Sequence, residues 1–412
     1  MLTYFLFVSI DGITDPLGQS QILPYLIELS KKGHTIGIAS IEKKINFEKN
    51  NSIIKELCAK HNISWNYNFY HTKIPLYSQY KNYKNLKSIV KHQSINKNTV
   101  LHCRSYLPAL IGLYFKKKHN TPFIFDMRGF WADERMEGNI WKHSNPIHKK
   151  LYQFFKRKEK ELFTNADQIV SLTHKAKKII LSWNLRIKSE KIHVIPCCAD
   201  LTFFSAKNTS KEKISALKKQ LLINEEVFVL NYSGSLGTWY MIEEMMLFFK
   251  ELLAVKSAVF LIVTKDNPEI AYSAATKLGI DKNKIIVRSA TRSQMPYYIE
   301  IATASVFFIR PTFSKNASSP TKMGELLSMH VPVITNLGIG DVDEIIQTQK
   351  CGVLVESFDS KAYKASINDF LINFNIYKQN SEAAAQKYFD LKVGAETYHQ
   401  LYLSFNKTNT HE

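Results

Sequence analysis

Short apolar runs of strand length alternate with helix-length segments along this chain, and no other feature restricts its fold as much. The runs fall at 4–10, 35–40, 100–103, 123–127, 168–172 and 192–195, and again at 228–232, 258–263, 285–287, 304–309, 331–335 and 352–354. They are almost continuously apolar, as strands covered on both faces are, so they predict parallel sheets flanked by helices. The alternation pauses over a polar stretch at 196–210 and a Lys-rich helix at 211–222, then resumes. It therefore occurs twice, which predicts two doubly wound α/β domains. The 412 residues suffice for both. The pause divides the chain into 1–198 and 199–388, leaving 389–412 as a final helix and a polar tail.

The opening apolar run lacks a basic flank, is too short to span a bilayer and ends at Asp11-Gly12. It reads as a buried first strand rather than a signal peptide, and no later run approaches the ~20 apolar residues of a membrane span. Five cysteines, with Cys197 and Cys198 adjacent, form neither a disulfide framework nor a zinc pattern. They read as small buried residues in a reducing cytoplasm. Charge is uneven. Residues 1–200 carry 32 Lys and Arg against 15 Asp and Glu, and residues 201–412 carry 23 against 21. The first half sets Lys149, Lys150, Lys156 and Arg157 among Trp141, Tyr152, Phe154 and Phe155. This pattern suits an anionic membrane surface or a lipid-phosphate acceptor, and equally a solvated lysine-rich face. No recognised nucleic-acid module occurs, so no specific nucleic acid is expected.

The segment from Ser318 to Glu325 carries the most chemistry. Ser319 can cap a helix and Pro320 fits its first position. Free backbone N–H groups and the positive end of the helix dipole then favour a phosphate, with Thr321 and Lys322 in the first turn. Glu325 lies one turn after Thr321 and could accept hydrogen bonds from a ribose diol. Phosphate and ribose together suggest a nucleotide, although an ordinary capped helix has the same local pattern. Asp341-Val342-Asp343 follows a Gly-rich turn and reads as a helix cap rather than a metal site, so no metal or other cofactor is expected.

In order, the chain carries Asp15-Pro16-Leu17-Gly18-Gln19-Ser20 followed by Lys32-Gly33-His34; then Val194-Ile195-Pro196-Cys197-Cys198-Ala199-Asp200; then Tyr232-Ser233-Gly234-Ser235-Leu236; then the Ser318–Glu325 segment. This series resembles the retaining nucleotide-sugar glycosyltransferases of family 4. The resemblance implies the GT-B fold, with two Rossmann-like domains facing a cleft and a C-terminal helix crossing back to the N-terminal domain. It implies an acceptor-side domain at 1–198 and a nucleotide-sugar-binding domain at 199–388. Gly18 would then face the donor phosphate, as would the turn at Gly234 and Ser235.

Three departures from the family pattern stand out. Arg128 occupies the position of a family histidine, just after the apolar run 123–127 that includes Asp126, and could contact the donor phosphate, an anionic acceptor, or the carboxylate of Asp126, Asp133 or Glu134. His102, one strand earlier, is an acceptor-side candidate or a structural histidine. Glu325 matches the second glutamate of the family's Glu-x7-Glu, but Ala317 stands at the first. The Arg and Lys that often follow the Gly turn are absent, leaving Lys265 and Lys322 to supply that charge. The resemblance implies transfer, with retention, of a hexosyl or N-acetylhexosaminyl group from a nucleotide sugar to a growing surface glycan, plausibly a lipid-linked one. The protein would be peripheral on the inner face of the membrane. A nucleotide-sugar epimerase of the same fold and a non-catalytic nucleotide-binding member are the alternatives.

Overall fold

The structure is a computed structural model that describes residues 3–72, 75–93 and 98–407. The chain forms two compact units, one running to Cys198 and resuming at Leu391, the other Ala199–Asp390.

The first unit is built on a parallel seven-stranded sheet. Its strands are β1 (Tyr4–Ser9), β2 (Thr35–Glu42), β3 (Ser64–Phe69), β4 (Thr99–Arg104), β5 (Phe123–Asp126), β6 (Gln168–Ser171) and β7 (Ile192–Val194), ordered β3-β2-β1-β4-β5-β6-β7. The order reverses between β1 and β4, and ligands of open α/β sheets bind beyond the strand ends at such a reversal. β1 and β4 pair in register from Tyr4 with Thr99 to Ser9 with Arg104. β3 has no counterpart among the apolar runs. Its residues alternate between half-buried Trp65, Tyr67 and Phe69 and exposed Ser64, Asn66 and Asn68, as an edge strand covered on one face does. Phe47 packs on all three aromatic rings.

The final helix, Leu391–Lys407, belongs to this first unit. Tyr402 stacks on Phe5 at 3.8 Å between ring centroids, and Leu391, Ala395, Tyr398, Leu401 and Phe405 join the same core. The cysteines are buried and form no disulfide.

The second unit has a parallel six-stranded sheet of β8 (Phe228–Ser233), β9 (Ala258–Val263), β10 (Ile285–Arg288), β11 (Ala304–Phe307), β12 (Val333–Asn336) and β13 (Gly352–Val355), ordered β10-β9-β8-β11-β12-β13. Here the reversal lies between β8 and β11. Every residue of β8 and β9 is buried, which is why β9 reads as an unbroken apolar run and β8 as one interrupted only by Asn231 before its closing Ser233. Asn336, at the end of β12, bonds the backbone N–H and C=O of Ile309 with its side chain at 2.8 and 2.9 Å. Asp343 accepts the N–H of Gly338 and so closes the Gly-rich turn. Among the described residues, no helix is long and apolar enough to cross a membrane and no cluster could hold a metal ion.

Candidate functional site

In the second unit the candidate site gathers at the sheet reversal. β8 ends at Ser233, and Gly234 turns the chain with φ +143°, a conformation natural only to glycine. A Cβ there would lie 2.9 Å from Lys322 Nζ. Lys322 is 6% exposed and its Nζ has no hydrogen-bond partner among the described residues. The ammonium lies over the rings of Tyr240 and Tyr232, at 3.9 and 4.2 Å from their centroids. Burial pushes its pKa down to about 7, with Glu325 pulling it the other way. A buried cation with no hydrogen-bonded anion is expensive, and such groups concentrate where a ligand supplies the missing partner.

The helix carrying Lys322 runs Thr321–Ser328. It corrects the expected cap: Pro320, not Ser319, is the capping residue, with extended backbone and no side-chain bond to the first turn. Pro320 has no N–H and its ring fixes φ near the value found, −66°, so it ends the loop where the helix begins. Ser319 and Thr321 are half-buried beside it. One turn on, Glu325 is one-fifth exposed, with Oε1 3.9 Å from Arg292 Nη1. Burial pushes its carboxyl up to about 7, against the opposing charges of Arg292 and Lys322. Arg292 in turn sits over the rings of Phe203 and Phe204.

Ser235 is committed to Asp266, whose Oδ2 accepts from the Ser235 hydroxyl at 2.8 Å and the Leu236 N–H at 2.6 Å. Lys265 is exposed. The residue after β9 that reaches the Gly turn is thus Asp266, which the motifs did not single out. Trp239 lies under the ammonium of the buried Lys315, 3.6 Å from the ring centroid.

In the first unit a second polar cluster sits at the carboxyl ends of β4 and β5. Asp126 is 2% exposed. Its Oδ1 is 3.7 Å from Arg128 Nη1, and its Oδ2 accepts from the Tyr398 hydroxyl at 3.2 Å. Burial alone would raise the Asp126 pKa, but Arg128 and then His102 and Arg104 outweigh it and hold the carboxyl below its ordinary value. Arg128 has φ 58° and its Nη2 lies 3.2 Å from Cys197 Sγ. Of the alternatives open for Arg128, the structure shows the ion pair with Asp126, while Asp133 accepts instead from Tyr152 and Lys156.

His102 is 1% exposed, with Nδ1 hydrogen-bonded to Tyr402 at 2.7 Å and Nε2 3.6 Å from Asp126 Oδ2. Burial lowers its pKa and keeps the ring neutral. It is enclosed between Phe7, Tyr398 and Tyr402.

Arg104, not among the expected site residues, is 4% exposed; its Nε lies 3.5 Å from Asp11 Oδ2, and neither Nε nor Nη1 makes a hydrogen bond among the described residues. Burial and the like charge of Arg128 lower its pKa. The next residue, Ser105, has φ 69° and ψ 180°, a strained region for a residue with a side chain.

Gly18 is required by the turn's own packing. A Cβ there would come 2.2 Å from the Gly12 carbonyl oxygen, so the helix Pro16–Gln21 can only seat on this loop with glycine. The loop itself is held by Glu42, which is fully buried. Glu42 accepts from Ile13 N at 2.8 Å, Thr14 N at 3.0 Å and the hydroxyls of Thr14 and Ser40. Glu42 was not legible as a loop anchor, because its sequence position shows nothing but the end of a strand.

Lys156 corrects another expectation. Its ammonium is bound by Asp133 at 2.8 Å and by Glu159, and lies over Trp183, so it is part of an internal network. Lys149, Lys150 and Arg157 are exposed on the same helix, Pro146–Asn165.

Comparison with known proteins accords with this geometry. Residues 26–203 match the family model described as Glycosyltransferase Family 4, and residues 213–387 match that described as Glycosyl transferases group 1. The two stretches take in most of the chain, which is a glycosyltransferase of the GT-B fold. No curated protein matches the sequence. A glycosyltransferase structure from Rickettsia africae aligns over 98% of this chain and 99% of its own, at 18% identity and a TM-score of 0.68. Anabaena HepE in complex with UDP and glucose aligns over 98% and 100%, at 14% identity and 0.66. Sucrose-phosphate synthase from Thermosynechococcus elongatus aligns over the same shares, at 14% and 0.71.

Proposed function

We propose that the protein takes a hexosyl or N-acetylhexosaminyl group from a nucleotide sugar and places it, with retention, on a growing surface glycan. The observation that carries this reading is the buried, unpartnered Lys322 ammonium beside Gly234. The donor diphosphate lies against Gly234 and the start of the Thr321–Ser328 helix, beside Ser319 and Thr321, where Lys322 and the positive end of the helix dipole neutralise it. Lys265 is an outer contact for the same charge. Glu325 accepts hydrogen bonds from the ribose, and Arg292 holds its carboxylate in place. The complex of HepE with UDP and glucose supports a nucleotide-sugar donor. The protein's contribution to the reaction is orientation and stabilisation of the leaving diphosphate. A proton from the acceptor hydroxyl passes to the donor phosphate as the new bond forms, so no protein base is required. Arg128, set by Asp126 and His102, serves an anionic group of the donor or acceptor in the first unit.

A thermal-shift panel of nucleotides and nucleotide sugars tests the reading, because a ligand bound by the native state alone raises its stability. One nucleoside diphosphate and its sugar should raise the melting temperature, and Glu325→Gln should weaken that ligand by roughly 1–3 kcal/mol without lowering the melting temperature of the free protein. No shift with any member of the panel would reject the donor site. Unchanged affinity in the variant would reject the ribose contact.

The exposed basic residues of the first unit support a peripheral position on anionic membrane at the cytoplasmic face, with a lipid-linked acceptor. Removing the charges of Lys149, Lys150 and Arg157 together should weaken binding to phosphatidylglycerol vesicles by about 3 kcal/mol, at about 1 kcal/mol each. Salt should mimic the variant, since exposed charges are screened over about 10 Å at 0.1 M. Vesicle flotation indifferent to both lipid charge and salt would overturn this placement.

A further inference from the structure

An apolar cavity lies in the first unit, away from the polar cluster at the strand ends. It is a groove of about 620 Å³ among the helices Pro75–His92, Tyr106–His119, Trp131–Glu137 and Pro146–Asn165. That volume is within the range of small-molecule sites. Its floor is carbon. Leu107, Leu110, Trp131 and Phe155 line it, with Trp131 edge-on to Trp141 at 5.3 Å and packed on Phe155 at 4.7 Å. Its mouth carries Tyr80, Tyr114 and Phe154, exposed by 55, 36 and 38%.

The charged residues lining the groove are Lys117, Arg135 and Lys158, and none is acidic. Glu161 pairs with both lysines but does not line the groove, so one carboxylate faces two ammonium groups. The Arg135 guanidinium lies over the Trp131 ring at 4.6 Å, at the junction of carbon floor and charged rim.

We propose that this groove holds the hydrocarbon chain of a phosphate-bearing lipid, with the phosphate on the rim formed by Lys117, Arg135 and Lys158. A peptide segment would bring backbone N–H and C=O groups against walls that offer them few partners, at a cost for each. An alkyl chain brings none. The rim adds what a neutral chain would not use: cations at the point where the chain leaves the groove. Exposed aromatic rings among lysines at the mouth are the side chains that settle at a membrane–water interface. The inference deepens the membrane-side reading of this unit and rests on it. Flotation reports the surface, whereas a monomeric amphiphile reports the groove, so the two can fail separately.

The test uses the full chain and alkyl phosphates below their critical micelle concentrations, followed by tryptophan fluorescence and calorimetry. Dodecyl phosphate should bind with a stoichiometry of one. Affinity should rise roughly tenfold for each two carbons added from octyl to dodecyl, in line with about 0.8 kcal/mol per buried CH₂. Inorganic phosphate should not compete, and dodecyl maltoside should bind at least tenfold more weakly, by loss of charge complementarity. Leu110→Glu should abolish binding. Because a half-buried glutamate there could disturb folding, the exposed rim is changed separately. Lys117→Gln with Lys158→Gln should keep the fold and bring dodecyl phosphate down to the affinity of the maltoside. Affinity independent of chain length, competition by inorganic phosphate, or wild-type binding by a folded Leu110→Glu protein would each overturn the proposal. So would a concentration-dependent dimer in sedimentation that excludes dodecyl phosphate, since a second copy would then be the occupant.

Discussion

Replacing Lys322 with methionine should make the protein more stable and nearly unable to bind a nucleoside diphosphate. The folded pKa of about 7 lies below the ordinary lysine value of 10.5, so folding disfavours the charged form. The penalty is fully present below about pH 7 and fades as pH rises toward 10.5. Methionine fills similar space without charge, so at pH 7 the variant should gain roughly 2–4 kcal/mol, and less at pH 9. Affinity for UDP or GDP, whichever binds the native protein, should fall by about a hundredfold or more, while that for the nucleoside changes by less than about threefold. The native protein should also bind the diphosphate more weakly as pH rises above about 7, by up to tenfold per unit, because each binding event must then bring a proton to Lys322. Repeating the titration in the Glu325→Gln protein separates this slope from the carboxyl's own. Calorimetry in buffers of different ionisation enthalpy measures the proton uptake. Equal losses for nucleoside and diphosphate, or a melting temperature that falls, would reject the assignment of Lys322 to the leaving group.

The second large effect belongs to Asp126. Asp126→Asn should destabilise the first unit by roughly 3–5 kcal/mol at neutral pH, because it removes the carboxylate paired with the buried guanidinium of Arg128 and leaves Asp11 as the counter-charge of Arg104. The carboxyl is held below its ordinary value in the fold, so its contribution is present above about pH 4 and is lost as pH falls through the folded pKa. Arg128→Met in the Asp126→Asn background should recover part of the loss, and a double-mutant cycle by urea denaturation measures the coupling. A loss below about 1 kcal/mol for Asp126→Asn would mean that the arginines are neutralised by some other group.

Parallel sheets were legible because their strands are buried on both faces and read as unbroken apolar runs. β3 was not, since a search for such runs passes over Ser-Trp-Asn-Tyr-Asn-Phe; its alternation of period two was the available signal. The helix Thr321–Ser328 was legible as a proline-led helix start with a lysine and a glutamate on it. Its energetics were not. Tyr232 and Tyr240, the rings that bury Lys322, lie about eighty to ninety residues earlier and reach it through sheet order alone. Asp266 and Arg104 were missed for the same reason. Each matters through a neighbour on the adjacent strand or its loop. Lys156 misled because its charge was read without its helical phase. Tyr152, Phe155 and Glu159 lie four, one and three positions away, and Phe155 and Glu159 are buried.

The chain leaves the first unit after Cys198 and re-enters it at Leu391, so the second unit is, in topology, an insertion within the first. During synthesis its residues are complete while the first unit still lacks Tyr398 and Tyr402. Until those two rings arrive, His102 and Asp126 have no hydroxyl partners and Phe5 lacks its stacked neighbour. A nascent chain would therefore hold a finished second unit while the strongly basic first unit remained unfinished, with an open apolar seam. That interval is when misassembly and chaperone capture are to be expected. Truncations at the carboxyl terminus would be felt at the polar cluster of the first unit, nearly three hundred residues away in sequence, before they are felt at the donor site.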